Sequence, residues 1–136
     1  MPDVELTVVG RVESPLDDPA AAPRQADEGA PPAWLVFDGR YADALGDLRP
    51  GAEILVLTWL HRADRGVLRV RPRDDPARPL TGVFSTRSPD RPNPIGLHRV
   101  TVLAVDGCRV RVDGLEAVDG TPVLDVKPVL GPSGER

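Results

Sequence analysis

The chain has 136 residues, 40% of them apolar, which is enough for one domain whose core needs neither disulfides nor a metal. Its net charge is −4 and its pI is about 5.1, so overall positive charge is excluded as a means of binding nucleic acid, although a local basic patch stays possible. Sixteen prolines and thirteen glycines favour short strands and frequent turns over long helices, because proline removes a backbone donor and glycine weakens helices.

Cysteine and histidine are scarce in the sequence. Cys108 is the only cysteine, and His61 and His98 are the only histidines, so neither an intrachain disulfide nor a thiolate metal site is expected. No apolar stretch approaches the roughly 20 residues of a membrane span, and no leader pattern is present. We therefore expect a soluble cytoplasmic protein that binds no metal and no membrane.

The first half of the chain alternates apolar runs with turn sequences. Residues 4–12 predict a strand, and residues 15–32, rich in proline, alanine and acidic side chains, predict a long loop. A short strand over 34–37 and about two helical turns over 41–48 follow. The almost continuously apolar run EILVLTWL, over 53–60, predicts a central strand buried on both faces.

The second half consists of short apolar runs, each long enough for one strand. These runs cover residues 67–70, 82–86, 99–105, 108–112, 115–118 and 123–129. The third and fourth meet at Asp106-Gly107, a dipeptide typical of a type I′ hairpin turn. Many short strands with at most one or two short helices predict an all-β fold, a small barrel or a sandwich. This pattern excludes the βαβ architecture of Rossmann-type enzymes.

The segment STRSPDRPNPIGLH, over 85–98, is the candidate site that the residues themselves indicate. Its three prolines fix an extended backbone, and polar residues that include Arg87, Arg91 and Asn93 lie between them. A stiff loop holds polar side chains at low entropic cost, and two guanidiniums could bind a carboxylate or phosphate through paired hydrogen bonds. The alternative is a surface turn whose charges are only solvated.

Other candidate residues lie at strand ends and turns. His61 and Arg62 directly follow the EILVLTWL run, where the end of a strand could deliver both side chains to a pocket. Glu116 and Asp119 lie around a turn and could accept hydrogen bonds from a ligand, or could instead cap their own backbone. Lys127 alternates with an aspartate on one strand face, where the two could simply pair.

Aromatic residues make up only 4% of the chain, which leaves little material for a surface that stacks on RNA bases. Trp34, Trp59 and Phe84 are expected in the core. No Ser/His/Asp set, metal cluster or carboxylate pair is evident from the residues. The sequence alone therefore predicts a compact β domain with a polar, proline-stiffened site.

Two stretches, GVFSTRSPDRPNPIGLHRV and GLEAVDGTPVLDVKPVL, resemble the signature of the TsaA-like (TrmO-type) family of tRNA methyltransferases. VGRVESP near the start, PRQ in the first loop and an apolar strand ending in histidine follow in the order found in that family. The resemblance implies a single β-barrel domain over residues 1–136 that forms a homodimer, with S-adenosylmethionine bound near the subunit interface. The chain ends just after DVKPVL, so we expect a short form without the C-terminal domain of longer members.

The resemblance also implies the site residues. Carried over by motif, the cofactor site comprises Arg24, Gln25, His61, Arg62, Arg87, the backbone near Arg99, and Glu116, Ala117, Val118 and Asp119. Arg91, Asn93 and Lys127 are expected in the substrate pocket, where the arginine and asparagine could hold the methionyl carboxylate of the cofactor. Asp119 is also the candidate that accepts the proton of the methylated amine.

The family's better-known bacterial members methylate N6 of threonylcarbamoyl-adenosine next to the tRNA anticodon. The first hypothesis is therefore an S-adenosylmethionine-dependent N-methyltransferase of tRNA, in which positioning of the acceptor nitrogen supplies most of the rate enhancement. A second hypothesis keeps the cofactor and replaces tRNA with a small-molecule acceptor. A third is a cofactor-binding module without catalytic activity.

Overall fold

Short antiparallel strands build almost all of the regular structure. The computed structural model describes residues 3–15 and 31–131. Its strands are β1 (Gly10–Glu13), β2 (Ala33–Phe37), β3 (Glu53–Trp59), β4 (Arg69–Val70), β5 (Thr81–Gly82), β6 (Ile95–Asp106), β7 (Arg109–Asp113) and β8 (Pro122–Pro128). Short 3₁₀ helices cover Gly39–Leu45, Pro72–Asp74 and Val83–Ser85. In the described part of the chain, no helix has the length and apolar character that crossing a membrane requires.

Six of the strands pair in a closed ring in the order β1-β2-β7-β6-β3-β8, while β4 and β5 form a separate two-stranded sheet. β3 pairs with β6 from Glu53↔Thr101 to Trp59↔Ile95. The ring closes where β1 meets β8, through the register pairs Gly10↔Val123 and Arg11↔Pro122 and flanking backbone hydrogen bonds such as that from Val12 to Thr121. The predicted all-β fold is confirmed.

The core lies inside the ring, because alternate residues of each strand point inward. On β3 the inward residues include Ile54 and Val56, which are almost fully buried. Burying such a side chain contributes about 1.5–3 kcal/mol. The outward residues Leu55 and Leu57 are only half-buried, so the prediction that this strand is buried on both faces was wrong. An antiparallel ring has an outer face that meets solvent, and nothing in the described residues covers this one fully.

Local turn chemistry differs from the sequence prediction at the β6–β7 hairpin. Asp106 still pairs with Arg109, so the two loop residues are Gly107 and Cys108. Of these two, Gly107 alone has a positive φ, +60°, which is the pattern of a type II′ turn and not of type I′.

Two predicted strands are also corrected. Strand structure in the first apolar run is confined to Gly10–Glu13, while Val4 and Leu6 are exposed without ladder partners in the described residues. Residues 115–118 are irregular, although Leu115 and Ala117 are buried within the core. The run was apolar because it fills the core, which requires no sheet pairing.

The aromatic residues are not in the core as predicted. Phe84 is 86% exposed. Trp34 and Trp59 occupy outward positions of their strands and are half-buried, with the guanidiniums of Arg109 and Arg65 each 5.1 Å from a tryptophan ring centre. Strand parity decides this placement, since their neighbours along each strand take the inward positions.

The helix Gly39–Leu45 is preceded by a capping residue, Asp38. The Asp38 carboxylate accepts a hydrogen bond from the backbone N–H of Arg40 at 3.0 Å and one from its Nε at 3.3 Å. The backbone hydrogen bond, and after it the guanidinium, lower the pKa of Asp38. The carboxylate is therefore favoured in its charged, cap-forming state.

Antiparallel pairing brings three connections to one end of the ring. The register pairs Glu13↔Trp34, Trp59↔Ile95 and Thr58↔Val123 place the ends of β1 and β3 beside the starts of β2, β6 and β8. The connections after β1, β3 and β7 leave from this end, here called the loop end. The helix Gly39–Leu45 and the β6–β7 turn lie at the opposite end.

Candidate functional site

A buried chain of polar side chains leads from the core to the loop end. Thr58 Oγ1 lies 2.7 Å from His98 Nε2, and His98 Nδ1 lies 2.8 Å from Glu116 Oε1. Thr58 is fully buried and the side chain of His98 is 4% exposed, whereas that of Glu116 is 16% exposed. The chain therefore runs from the dry interior to a carboxylate at the surface.

Hydrogen-bond chemistry fixes the direction of this chain. An ionised carboxylate can only accept, so Nδ1 of His98 donates to Glu116. In the neutral imidazole the other nitrogen is an acceptor, and it receives the hydroxyl proton of Thr58. Both ring nitrogens are thus satisfied, which is what permits an imidazole at a core position.

Gly96 makes room for the ring. Residues 96 and 98 both point inward on β6, next to Thr58 of β3. A Cβ at position 96 would lie 2.6 Å from His98 Nε2 and closer still to Thr58 Oγ1. Only glycine fits there without displacing the Thr58–His98 hydrogen bond.

The proline-rich loop that precedes β6 is held together by Arg91. Its Nε donates to the carbonyl of Ser88 at 2.8 Å, and its Nη2 donates to the carbonyls of Val83 at 2.8 Å and Thr86 at 2.6 Å. Sequence analysis expected this guanidinium to bind ligand. Most of its contacts order the loop instead, and only the Nη1 end has no protein partner in the described residues.

A second arginine, which sequence analysis did not select, braces the same loop from outside. Arg65 Nε donates to the carbonyl of Pro92 at 2.7 Å, and its Nη2 donates to Asn93 Oδ1 at 3.0 Å. The amide of Asp64 donates to Asp90 Oδ1 at 2.8 Å. The predicted pocket residue Asn93 therefore uses its oxygen to dock the loop, and its exposed amide group remains for a ligand.

Arg87 differs from the other arginines of this loop. It is exposed and has no hydrogen bond or ion pair within residues 3–15 and 31–131. It lines an open groove of about 440 Å³. Three further arginines, Asp74 and the exposed ring of Phe84 contribute to the same groove; these arginines are Arg71, Arg73 and Arg78. Positive charge therefore outweighs negative charge along it.

Asp119 has a structural contact at the loop end. Its Oδ1 accepts a hydrogen bond from the backbone N–H of Ser14 at 3.0 Å, which ties the turn before β8 to the end of β1. Its neighbours Ala117 and Val118 are buried, so only their backbone can face a ligand. His61 and Arg62, at the end of β3, are exposed.

Two predicted site residues lie on the outer wall of the ring, away from the loop end. Arg99 and Lys127 flank Leu55 on neighbouring strands. Arg99 contacts Glu53 Oε2 at 2.7 Å, and Lys127 Nζ lies 3.3 Å from Asp125 Oδ2, as the sequence-based alternative for Lys127 proposed. Arg24 and Gln25 lie outside the described residues.

Sequence analysis missed Thr58, His98, Gly96 and Arg65. For His98 a signal was present, since strict alternation along NPIGLHRV places the histidine at an inward position two residues after a glycine. For Arg65 there was none, because its contacts with residues 92 and 93 depend on the folded path of a long connection. The described residues contain no cluster of three or more metal-ligand side chains.

Comparison with known proteins gives a family and a fold. Residues 11–132 match the family model described as the tRNA-methyltransferase O N-terminal domain. A probable S-adenosyl-L-methionine-binding protein of Methanothermobacter thermautotrophicus is 45% identical, over 94% of this chain and 93% of its own length. Another, of Archaeoglobus fulgidus, is 42% identical over 92% of this chain and 34% of its own length.

Solved structures agree with these relatives. The crystal structure of TrmO from Pseudomonas aeruginosa is 27% identical with a TM-score of 0.77, and the match covers 99% of this chain and 60% of that one. A further TrmO crystal structure is 28% identical with a TM-score of 0.77, over 99% of this chain and 58% of that one. This chain thus spans about three fifths of the solved structures and a third of the Archaeoglobus relative.

Proposed function

This chain belongs to the family of the tRNA-methyltransferase O N-terminal domain, and on that basis we propose that it binds S-adenosylmethionine and transfers the methyl group to an amine nitrogen. The family match carries the proposal, and the topology supports it. The family match spans residues 11–132 and includes both signature stretches, and the connections that hold most of the predicted site residues leave the ring at one end.

The connections that leave the loop end carry side chains of the chemistry that this cofactor requires. Its carboxylate requires a cationic donor, and Arg87 is an exposed guanidinium without a protein partner in the described residues. Its ammonium and ribose hydroxyls require acceptors, which Glu116 and Asp119 provide. When bound, the sulfonium supplies an already activated methyl group. The protein then contributes mainly the alignment of the acceptor nitrogen.

As the acceptor we propose N6 of threonylcarbamoyl-adenosine beside the tRNA anticodon. The arginine-lined groove supports a nucleic-acid substrate, because guanidiniums bind phosphates and an exposed aromatic ring can stack on a base. Phe84, 86% exposed beside Arg87, offers such a ring. A local basic groove of this kind is compatible with the net charge of −4. A tRNA substrate also supports the cytoplasm as the protein's location.

We also propose that the protein is a homodimer. On the outer face of the ring, Leu57 lies opposite Leu97, and Trp59 lies opposite Ile95. Leu97 and Ile95 are each 42% exposed. Adjacent exposed apolar side chains on a sheet are typical of a surface that a partner covers, and a second copy of the chain is the partner that the family resemblance implies.

Calorimetric titration of S-adenosylmethionine into the wild type and an Arg87→Ala variant tests the proposal. We expect saturable binding by the wild type, at least about tenfold weaker for the variant, because a charge-assisted contact is lost. Arg111→Ala is the matched control, since Arg111 is an exposed arginine on the outward face of β7. Failure of the folded wild type to bind, or equal losses in both variants, would contradict the proposed cofactor site.

The identity of the acceptor is tested by incubating the protein with S-adenosylmethionine that carries a labelled methyl group. Unmodified and threonylcarbamoylated tRNA are offered in parallel, and the label transferred to each is measured. We expect transfer only to the threonylcarbamoylated tRNA, with binding that weakens steeply as salt rises. Transfer to small amines alone would replace tRNA by a small-molecule acceptor. Binding without transfer to any acceptor would identify a non-catalytic module.

A further inference from the structure

We propose that Thr58 and His98 are positioning residues that hold the Glu116 carboxylate toward a ligand, so that its outer oxygen accepts a hydrogen bond from an N–H or O–H group. This inference rests on the proposed function, because it concerns the same cofactor site. Arg87 and the acidic turn account for the predicted contacts with that cofactor, but they leave the buried chain behind Glu116 unexplained.

The two oxygens of Glu116 have different surroundings. Oε1 accepts from His98 Nδ1 at 2.8 Å. Oε2 has no partner within residues 3–15 and 31–131. In those residues no buried side-chain oxygen lacks a hydrogen bond, so Oε2 reaches the surface. One oxygen is therefore fixed from behind and the other is presented outward at the loop end.

Holding a glutamate in this way favours binding. A free glutamate side chain loses rotamer entropy when a ligand orders it, and this loss opposes binding. Here the charged hydrogen bond from His98 orders it in advance, and preorganisation of this kind improves affinity.

The imidazole is in turn fixed on its other side. Thr58 holds Nε2 at 2.7 Å, and the backbone of Gly96 packs against both partners. Because Thr58 and His98 belong to the paired strands β3 and β6, the orientation of Glu116 is set by the rigid wall and not by the loop that carries it.

A histidine that only fills the core would serve stability and nothing else. Position 98 points inward on β6, where the next inward residues are valines. His98→Leu removes the donor to Glu116 and also leaves the buried hydroxyl of Thr58 without its partner, which lowers stability. The double variant Thr58→Val/His98→Leu replaces both members by apolar side chains and is the folded form of the same test. His98→Asn keeps a donor near the position of Nδ1 and loses only the contact with Thr58.

Calorimetry and thermal unfolding of these variants test the proposal. We expect His98→Leu and Glu116→Gln to weaken binding of S-adenosylmethionine by about tenfold or more, and His98→Asn to restore most of the affinity. Asp38→Asn, at the opposite end of the ring, should bind as the wild type does. Wild-type affinity in a folded His98→Leu variant would overturn the proposal and leave the proposed function intact.

The donor on the ligand is identified by comparing S-adenosylmethionine with 5′-methylthioadenosine, which keeps the ribose and lacks the ammonium. Equal losses for both ligands in Glu116→Gln would identify the ribose hydroxyls as the donor. A loss confined to S-adenosylmethionine would identify the ammonium. No binding of either ligand by the folded wild type would overturn the proposed function, and this inference with it.

Nuclear magnetic resonance of ¹⁵N-labelled histidine gives a readout that does not depend on ligand. The chain has two histidines, so a His61→Asn variant assigns the ring signals. We expect His98 to carry its proton on Nδ1 and to lose that preference in Glu116→Leu, whose side chain has no acceptor. A proton on Nε2 in the wild type would contradict the geometry on which the proposal depends.

Discussion

Substitution of Gly96 by alanine measures how tightly the Thr58–His98 pair is enclosed. The added methyl would lie 2.6 Å from His98 Nε2, so the imidazole or the hydroxyl must move. A displaced pair leaves at least one buried polar group without a partner, at about 1–3 kcal/mol. Overpacking of the core adds about 1–3 kcal/mol. We therefore expect Gly96→Ala to lower the free energy of unfolding by about 2–6 kcal/mol.

Urea unfolding followed by circular dichroism measures this loss, and Gly39→Ala is the control because no atom lies within 4 Å of its added methyl. In a background that carries both Thr58→Ala and His98→Ala, the clashes with Oγ1 and Nε2 are absent, so the cost of Gly96→Ala should fall to less than about half. An unchanged cost in that background would refute the reasoning, since the penalty would then arise from the strand backbone. A loss below about 0.5 kcal/mol in the wild-type background would refute it too.

Three further predictions concern other parts of the chain. Arg91→Met should loosen the proline-rich loop, because three hydrogen bonds to loop carbonyls are lost; faster proteolysis within residues 83–94 at nearly unchanged core stability would show this, and protection equal to the wild type would contradict it. Phe84→Ser should leave the melting temperature within about 2 °C of the wild type, because the ring is 86% exposed, and should weaken tRNA binding; a marked fall in melting temperature would mean that the ring is packed in solution. The lowered pKa of Asp38 means that its contribution to stability is present above the pKa of the unfolded state, and is lost as pH falls through the lower pKa of the folded state. Asp38→Asn should therefore unfold with less dependence on pH below about 4 than the wild type, and identical acid unfolding curves would contradict the cap.

Sequence patterns predicted the fold well where one physical rule decides the outcome. Alternation along the run that became β6 and the turn near Gly107 identified a hairpin, and the family resemblance is confirmed by the match over residues 11–132. The expectation that each apolar run is a strand failed where a run fills the core without pairing, as residues 115–118 do. The expectation that the tryptophans are in the core also failed, because apolar character indicates burial but strand parity decides which face a side chain occupies.

The candidate site was predicted less completely, because its supporting contacts join distant parts of the chain. The pairing of His98 with Glu116 depends on an irregular segment that lies against β6. The support of Asn93 by Arg65 depends on how a long connection folds back. Neither follows from local periodicity, although the signature motifs did select Arg87 and Glu116.

The seam between β1 and β8 has a consequence for dynamics. Only two register pairs join these strands, whereas β3 and β6 share seven. Local opening of the ring should therefore begin at this seam, and amide hydrogens there should exchange before those of β3. Ser14 and Asp119 connect the two sides of the seam just beyond its end, at the loops where we propose that ligand binds. A ligand that contacts both loops would stabilise the pairing of β1 with β8. Ligand binding should therefore slow hydrogen exchange at the seam more than elsewhere in the ring.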